Sequence, residues 1–242
     1  MTVAYWSALE VLKQVAGELG LPRPATITGI EDVQSIQLLS LLNSAGNELM
    51  LYYPWMQFSK EWEFQTVPDQ GDYPLPDDWS YFRDQTQWDR TDHWPLLGPK
   101  SPQEWAWLKG SLVAALPRQR FRVADNLFKL WPVPGTPAVT MAMEYVTKLW
   151  VKKSTEPVSF ADMITSDGDI LLYNQWLLIK FVKFKFYELK GFPTTGVQAD
   201  FMRVFNSLTG KDVGAKILSL SPRYTSQYLG PWSVPDGSWQ VE

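Results

Sequence analysis

"LFKLWPVPGTPAVTMAMEYV", residues 127–146, decides the fold class. In its first part, Phe128 and Leu130 flank Lys129, a two-residue alternation that fits a strand and not a helix. "PGTP" (134–137) is a cluster of turn formers. "AVTMAMEYV" (138–146) then resumes a run rich in β-branched and aromatic residues. "ADN" (124–126) lies between this stretch and "RFRV" (120–123), and suggests a hairpin turn. "WEFQTV" (62–67) and "DQTQWDR" (84–90) extend the same pattern upstream. One short helix is expected among them, with Ser101 as N-cap, Pro102 as its first residue, and Trp105, Leu108 and Leu112 on its buried face.

Outward from this β-rich middle the period changes to that of helices. Val3 to Leu19 carries Trp6, Leu9, Leu12 (or Lys13), Ala16 and Leu19 at steps of three or four, with Gly20 placed to stop it. Glu31 to Tyr53 carries Ile36, Leu39, Leu42, Gly46 and Leu49 as one stripe, widened by Leu38, Leu41, Ala45 and Tyr52. Asn43 and Asn47 interrupt that stripe and are expected to face solvent or a neighbouring backbone. Pro54 ends the helix. Beyond the β region, Asp167 or Asp169 is expected to cap a long helix reaching Lys190, about 33 Å in length. "KGFP" (190–193) closes it, with Gly191 left-handed and Phe192 folding back. A fourth helix, Thr195 to Leu208, has Val197, Phe201, Val204, Phe205 and Leu208 on one side.

These readings combine into an α+β protein: a helical bundle core with an inserted antiparallel β domain and an extended C-terminal arm. The expected division is 1–54 and 159–212 for the two helical pairs, 55–158 for the insert and 213–242 for the arm. The arm keeps Tyr224, Tyr228, Leu229, Trp232 and Trp239 among prolines, glycines and serines. Disordered tails are poor in aromatics, so these residues are expected to dock on this fold or on a neighbouring subunit.

The totals remove much chemistry. The 242 residues contain no cysteine and one histidine, His93, and carry a net charge of −4. Thiolate chemistry is therefore absent, and the acidic balance gives no general attraction to nucleic acid. The N-terminus shows no signal peptide pattern. Lys180, Lys183, Lys185 and Glu188 interrupt the most apolar window, so no membrane span is expected. No phosphate-binding loop frame surrounds "LTGKD" (208–212). "SDGD" (166–169) lacks the order of a calcium loop and reads as a turn at a helix start. Asp77 and Asp78, in "GDYPLPDDW" (71–79), are adjacent and point apart in extended chain, a poor arrangement for a carboxylate pair flanking one bond. They read as turn formers after a proline-bearing edge strand. No catalytic residue, metal site or cofactor is expected. Lys180, Lys183 and Lys190 share roughly one helix face, either solvated or turned toward passing DNA.

Several of these pieces, in this order, resemble a known family. They are the two N-terminal helices, "YYPW…WEFQTV" (52–67), "GDYPLPDDW" and the segment around Trp94 with Pro95 to Gly98. "PRQRFRV" (117–123), the stretch 127–146, two helices and a tail follow. The arrangement is similar to the head-to-tail adaptors of short-tailed bacteriophages, also called connector or tail accessory factors or tail tubular proteins. The resemblance implies a non-enzymatic virion protein at the head–tail interface, assembled in the host cytoplasm. It implies a ring, typically dodecameric, under the portal protein, with the helices around the DNA channel and DNA passing through the lumen. The C-terminal segment would grip the portal, and the β domain would receive the tail nozzle or hub. The rival from a different class is a carbohydrate-binding module, because nine of the 13 tryptophans fall between Trp55 and Trp150. Trp88, Trp94, Trp105 and Trp107 would be its stacking platforms.

Overall fold

Residues 5–29, 32–110 and 118–212 are described by a computed structural model of the protein. In chain order the elements begin with helices α1 (Ala8–Leu19) and α2 (Val33–Tyr52). Strands β1 (Ser59–Gln65), β2 (Asp72–Pro74), β3 (Trp79–Phe82), β4 (Trp88–Asp89) and β5 (Trp94–Pro95) precede helix α3 (Pro102–Gly110). Strands β6 (Arg120–Ala124), β7 (Leu127–Trp131), β8 (Thr140–Thr147), β9 (Val151–Lys152), β10 (Phe160–Ala161) and β11 (Ile170–Leu171) lead to helices α4 (Gln175–Lys190) and α5 (Thr195–Asp212). The fold is α+β, with antiparallel strand pairs, as the sequence indicates. The expected arm, 213–242, lies outside the described residues. Two compact units are present. Among the described residues, one joins the chain up to Ser59 to Thr147–Asp212, and the other runs from Lys60 to Val146.

The first unit is helical, with α4 packed against α1, α2 and α5. Helix α1 starts at Ala8, not at Val3. The backbone is still extended at Trp6, whose carbonyl accepts from the Leu171 amide at 3.3 Å. Ser7 forms a capping box: its Oγ accepts from the Glu10 amide at 3.3 Å, and Glu10 Oε2 accepts from the Ser7 amide at 2.8 Å. Gly20 ends the helix at φ 69°, as expected. Helix α2 is capped by Asp32, which accepts from the Ser35 amide at 2.9 Å. Its buried stripe is Leu38, Leu42, Ala45, Gly46 and Leu49, whereas Ile36, assigned to that stripe from spacing, is 48% exposed. Small residues set this rotation. The Trp150 indole lies on Gly46, where a Cβ would come within 2.2 Å of the ring. Asn43 and Asn47 serve as acceptors, for the Ile164 amide at 2.9 Å and for Trp150 Nε1 at 2.8 Å.

Helix α4 corrects a second expectation. It begins after Asn174, whose side chain accepts from the Trp176 amide at 3.0 Å, and not after Asp167 or Asp169. Ile170 and Leu171 instead form β11, paired with β9 at Ile170↔Lys152, in a small sheet ordered β10-β9-β11. The helix therefore has 16 residues and spans about 24 Å. Gly191 and Phe192 close it as expected: Gly191 has φ 69°, and the Phe192 amide donates to the Tyr187 carbonyl at 2.9 Å. Helix α5 continues past Leu208 to Asp212, and Phe201 is its buried residue.

The second unit contains two sheets. One is ordered β1-β8-β4-β5, with β3 also on β8, and the other is β2-β7-β6. Phe121, Phe128, Leu130, Met141 and Met143 are central to the core, and Trp62, Phe64 and Phe82 pack against it. Asp125 and Asn126 make the β6–β7 turn with φ of 59° and 58°, and Ala124 faces Leu127. Two consecutive left-handed residues match the twist of a tight hairpin, and Asp and Asn tolerate that conformation best among non-glycine residues. Strand β2 lies at a sheet edge with Tyr73 opposite Phe128, and Tyr73 and Leu75 are both buried. In "DQTQWDR" only Trp88–Asp89 is strand. Gln85 has φ 62°, and the Thr86 hydroxyl and Gln87 side-chain amide both donate to the Arg83 carbonyl, which makes a turn of that segment. Ser101 and Glu104 form a second capping box at α3, where Trp105 and Leu108 are buried. Leu112 lies outside the described residues.

Candidate functional site

Helix α4 carries the lysines singled out in the sequence. Lys180 and Lys183 converge on one carboxylate: their Nζ atoms donate to Glu18 Oε2 at 3.0 and 3.2 Å. Burial alone would raise the Glu18 carboxyl. The hydrogen bonds and charges of the two lysines outweigh it and hold the group below its usual range. Lys190 does not join them. It lies at the end of the helix, with Nζ 5.4 Å from the Phe186 ring centre. On another side of α4, Lys185 Nζ donates to Glu48 at 2.5 Å. The lysine face is thus partly neutralised by an acid from α1, a partner 162 residues away in sequence that no local pattern announces.

Helices α2, α4 and α5 enclose a groove of about 530 Å³. The buried rings of Phe181 and Phe201 line it, with centroids 4.6 Å apart, together with Phe184, Phe205, Tyr52 and Met202. Tyr52 and Met202 are 56% and 42% exposed. Spacing alone placed Tyr52, Phe201 and Phe205 on apolar stripes. The groove itself needs three helices at one place, which spacing does not show. The proposed docking residues Tyr224, Tyr228, Leu229, Trp232 and Trp239 lie outside the described residues.

The loop before β11 anchors α1. Asp169 is fully buried, and its carboxylate accepts from Ser166 Oγ at 2.6 Å, the Thr165 amide at 2.9 Å, Lys153 Nζ at 3.0 Å and the Ser166 amide at 3.1 Å. Burial would raise this carboxyl, but those donors bring it down to about 2. The Asp169 and Asp167 carbonyls accept from the Ala8 and Leu9 amides, two otherwise orphaned donors of α1. The Asp167 side chain accepts from the Ile27 amide at 2.5 Å and from Thr26 Oγ1 at 2.8 Å. "SDGD" is therefore a turn, but one that serves α1 and not the start of α4.

In the β unit, Asp77 is exposed and Asp78 is tied down by Tyr145 Oη at 2.8 Å and Lys60 Nζ at 2.5 Å. Burial, reinforced by Asp78, pushes the Tyr145 hydroxyl well above the ordinary tyrosine range. Asp77 and Asp78 do form a turn, in which the Trp79 amide donates to the Pro76 carbonyl at 2.9 Å, and a strand follows. His93 sits in the β4–β5 turn with φ 59°. Of the tryptophans named for stacking, Trp105 is buried, Trp88 is half-buried in β4, the Arg118 guanidinium lies 5.0 Å from the Trp94 ring centre, and Trp107 is exposed on α3. Among the described residues no group of three or more His, Asp or Glu is placed to hold a metal ion. No helix among them is long and apolar enough to cross a membrane.

Comparison with known proteins gives one result that spans most of the chain. The family model described as SU10 adaptor protein matches residues 6–223. No curated protein matches the chain.

Proposed function

The chain belongs to the SU10 adaptor protein family, and from that membership we propose that it joins head to tail in a phage virion. It is a phage adaptor; the finer reading is a ring, dodecameric as in the short-tailed phage adaptors it resembles, between the portal protein and the tail nozzle or hub. The family match over residues 6–223 carries the proposal. Exposed apolar side chains support it: Val33, Leu51 and Tyr52 of α2 are 77%, 78% and 56% exposed in the single chain. Apolar surface of that kind on a helix suits a partner in an assembly.

In this reading the helical unit surrounds the lumen, with Lys180, Lys183 and Lys190 toward the passing DNA. Glu18 limits the positive charge there. That suits a conduit, because many phosphate contacts would hold the strand in place. The segment 222–242 engages the portal, the β domain meets the tail protein, and assembly takes place in the host cytoplasm. Electron microscopy of the protein mixed with portal rings is the test. An added tier of density on the portal is expected, and deletion of Pro222 to Glu242 should abolish it while leaving a folded subunit. Portal rings that stay bare with the full chain refute the reading.

A further inference from the structure

We infer that the groove between α2, α4 and α5 receives the α1–α4 face of a second copy of this chain, in a head-to-tail contact led by Trp176. The inference rests on the proposed ring and deepens it, naming the two faces through which neighbours meet. Both faces belong to the helical unit. The groove, of about 530 Å³, is lined by aromatic and thioether side chains, with Tyr52 and Met202 open to solvent. On such a lining a large aromatic ring gains most. Trp176 supplies one from another side of α4, where Lys180 and Lys183 bond Glu18 of α1. It is exposed in the single chain, and Trp6 braces it with ring centres 6.0 Å apart. Helices α1 and α5 both pack on α4, so one chain presents the groove and the projecting tryptophan together.

Charge selects this pairing. In the groove Glu48 is paired with Lys185 at 2.5 Å, which leaves Glu188 as an acid with no ion pair among the described residues. Trp6, Lys13 and Arg23 line one hollow on α1. Its acid, Glu10, is taken up by the Ser7 cap, while Lys13 and Arg23 form no ion pair among the described residues. Gly17 gives the Arg23 guanidinium room against the last turn of α1: a Cβ there would stand 2.9 Å from Nη2. The groove is thus left with negative charge and the α1 hollow with positive. Two grooves set against each other, as a two-fold dimer requires, would bring Glu188 toward Glu188 and no free cation to either. A head-to-tail contact brings Glu188 toward Lys13 and Arg23 of the next copy. It also leaves a groove at one end and a Trp176 at the other, the condition for adding copies until a ring closes.

The absence of cysteine makes a clean test by mixing full chains. One preparation carries Met202→Cys, and the other carries Gln14→Cys or Gln175→Cys. Under mild oxidation at high protein concentration, without portal, at least one mixture should give a covalent heterodimer about tenfold above the homodimer of either chain alone. Intact mass and non-reducing gels read the result. A groove that takes some other occupant leaves both mixtures unlinked, and that overturns the inference. So does a Met202→Cys homodimer as the main product, which would set groove against groove. Charge reversal gives a second reading. Glu188→Lys in the first chain should lower the mixed yield about fivefold, and Lys13→Glu with Arg23→Glu in the second should restore it. Melting curves first establish that each variant is folded. A loss that the reversed partner does not restore overturns the proposed pairing. Portal attachment is scored separately. Linked neighbours that never join portal rings sink the adaptor reading and leave the contact standing, whereas portal attachment without any mixed link does the opposite.

Discussion

Replacing Asp169 by asparagine tests the anchor that holds α1. The carboxylate is fully buried and receives three amides, a hydroxyl and an ammonium. An amide keeps one acceptor oxygen and turns an NH₂ toward donors, so at least two donors lose their partner and Lys153 loses the opposing charge. The carboxyl is depressed from 3.8 to about 2, which corresponds to about 2 kcal/mol of charge-linked stability. Unmatched buried donors add to this, for an expected loss of about 3 kcal/mol. For a chain of this size that is about 6–12 °C in Tm. The sign follows from the lowered pKa. The contribution is complete above the unfolded value and disappears as pH falls through the folded value, between about 4 and 2. Circular dichroism melts of both proteins from pH 7 down to pH 2 should show a gap that narrows across that window. A variant that melts within a degree of the parent at pH 7 refutes the reasoning, and so does a gap unchanged at pH 2.

Gly46→Ala should destabilise the helical unit by about 2 kcal/mol or more, because the added methyl meets the Trp150 ring within 2.2 Å. Denaturant unfolding with unchanged cooperativity measures it, and Trp150→Leu in the same chain should restore part of the loss. Glu18→Gln frees the charges of Lys180 and Lys183. It should steepen the salt dependence of retention on DNA-cellulose by about one unit of log–log slope; an unchanged slope would show that these lysines do not meet phosphate. Tyr145→Phe removes the donor to Asp78 and should cost about 1–2 kcal/mol. Ultraviolet titration should lose one late-ionising tyrosine. The stability tied to that neutral hydroxyl is present below the usual tyrosine range and lost as pH climbs above it.

Local chemistry was readable, and distant partners were not. Asp125-Asn126, Ser101 with Glu104, and Gly191 with Phe192 each work through backbone groups a few residues away. Their turn and caps followed from adjacent letters. The start of α4 was misplaced because Asp167 and Asp169 look like N-caps in sequence, whereas their partners include Ile27, Lys153 and the first amides of α1. The buried side of α2 was misjudged at Ile36, since Gly46 and Ala45 set the closest packing and glycine carries no hydrophobic signal. Of the candidate channel face, the three lysines were visible but Glu18 was not. The phenylalanines of the groove were legible as apolar residues, and their meeting in one concavity was not.

The helical unit is discontinuous in the chain: α1 and α2 precede the β unit, Lys60–Val146, and α4 and α5 follow it. Translation therefore imposes an order on folding. After α2 emerges, about 120 residues, the β unit among them, must be made before α4 appears, roughly 6–24 s at common elongation rates. During that interval α2 has α1 beside it but lacks the cover that α4 later gives. The β unit is the part able to complete itself on the ribosome, and the helical unit closes last. A slow stretch of codons inside the insert lengthens the exposed interval for the first two helices, and one placed after α5 does not.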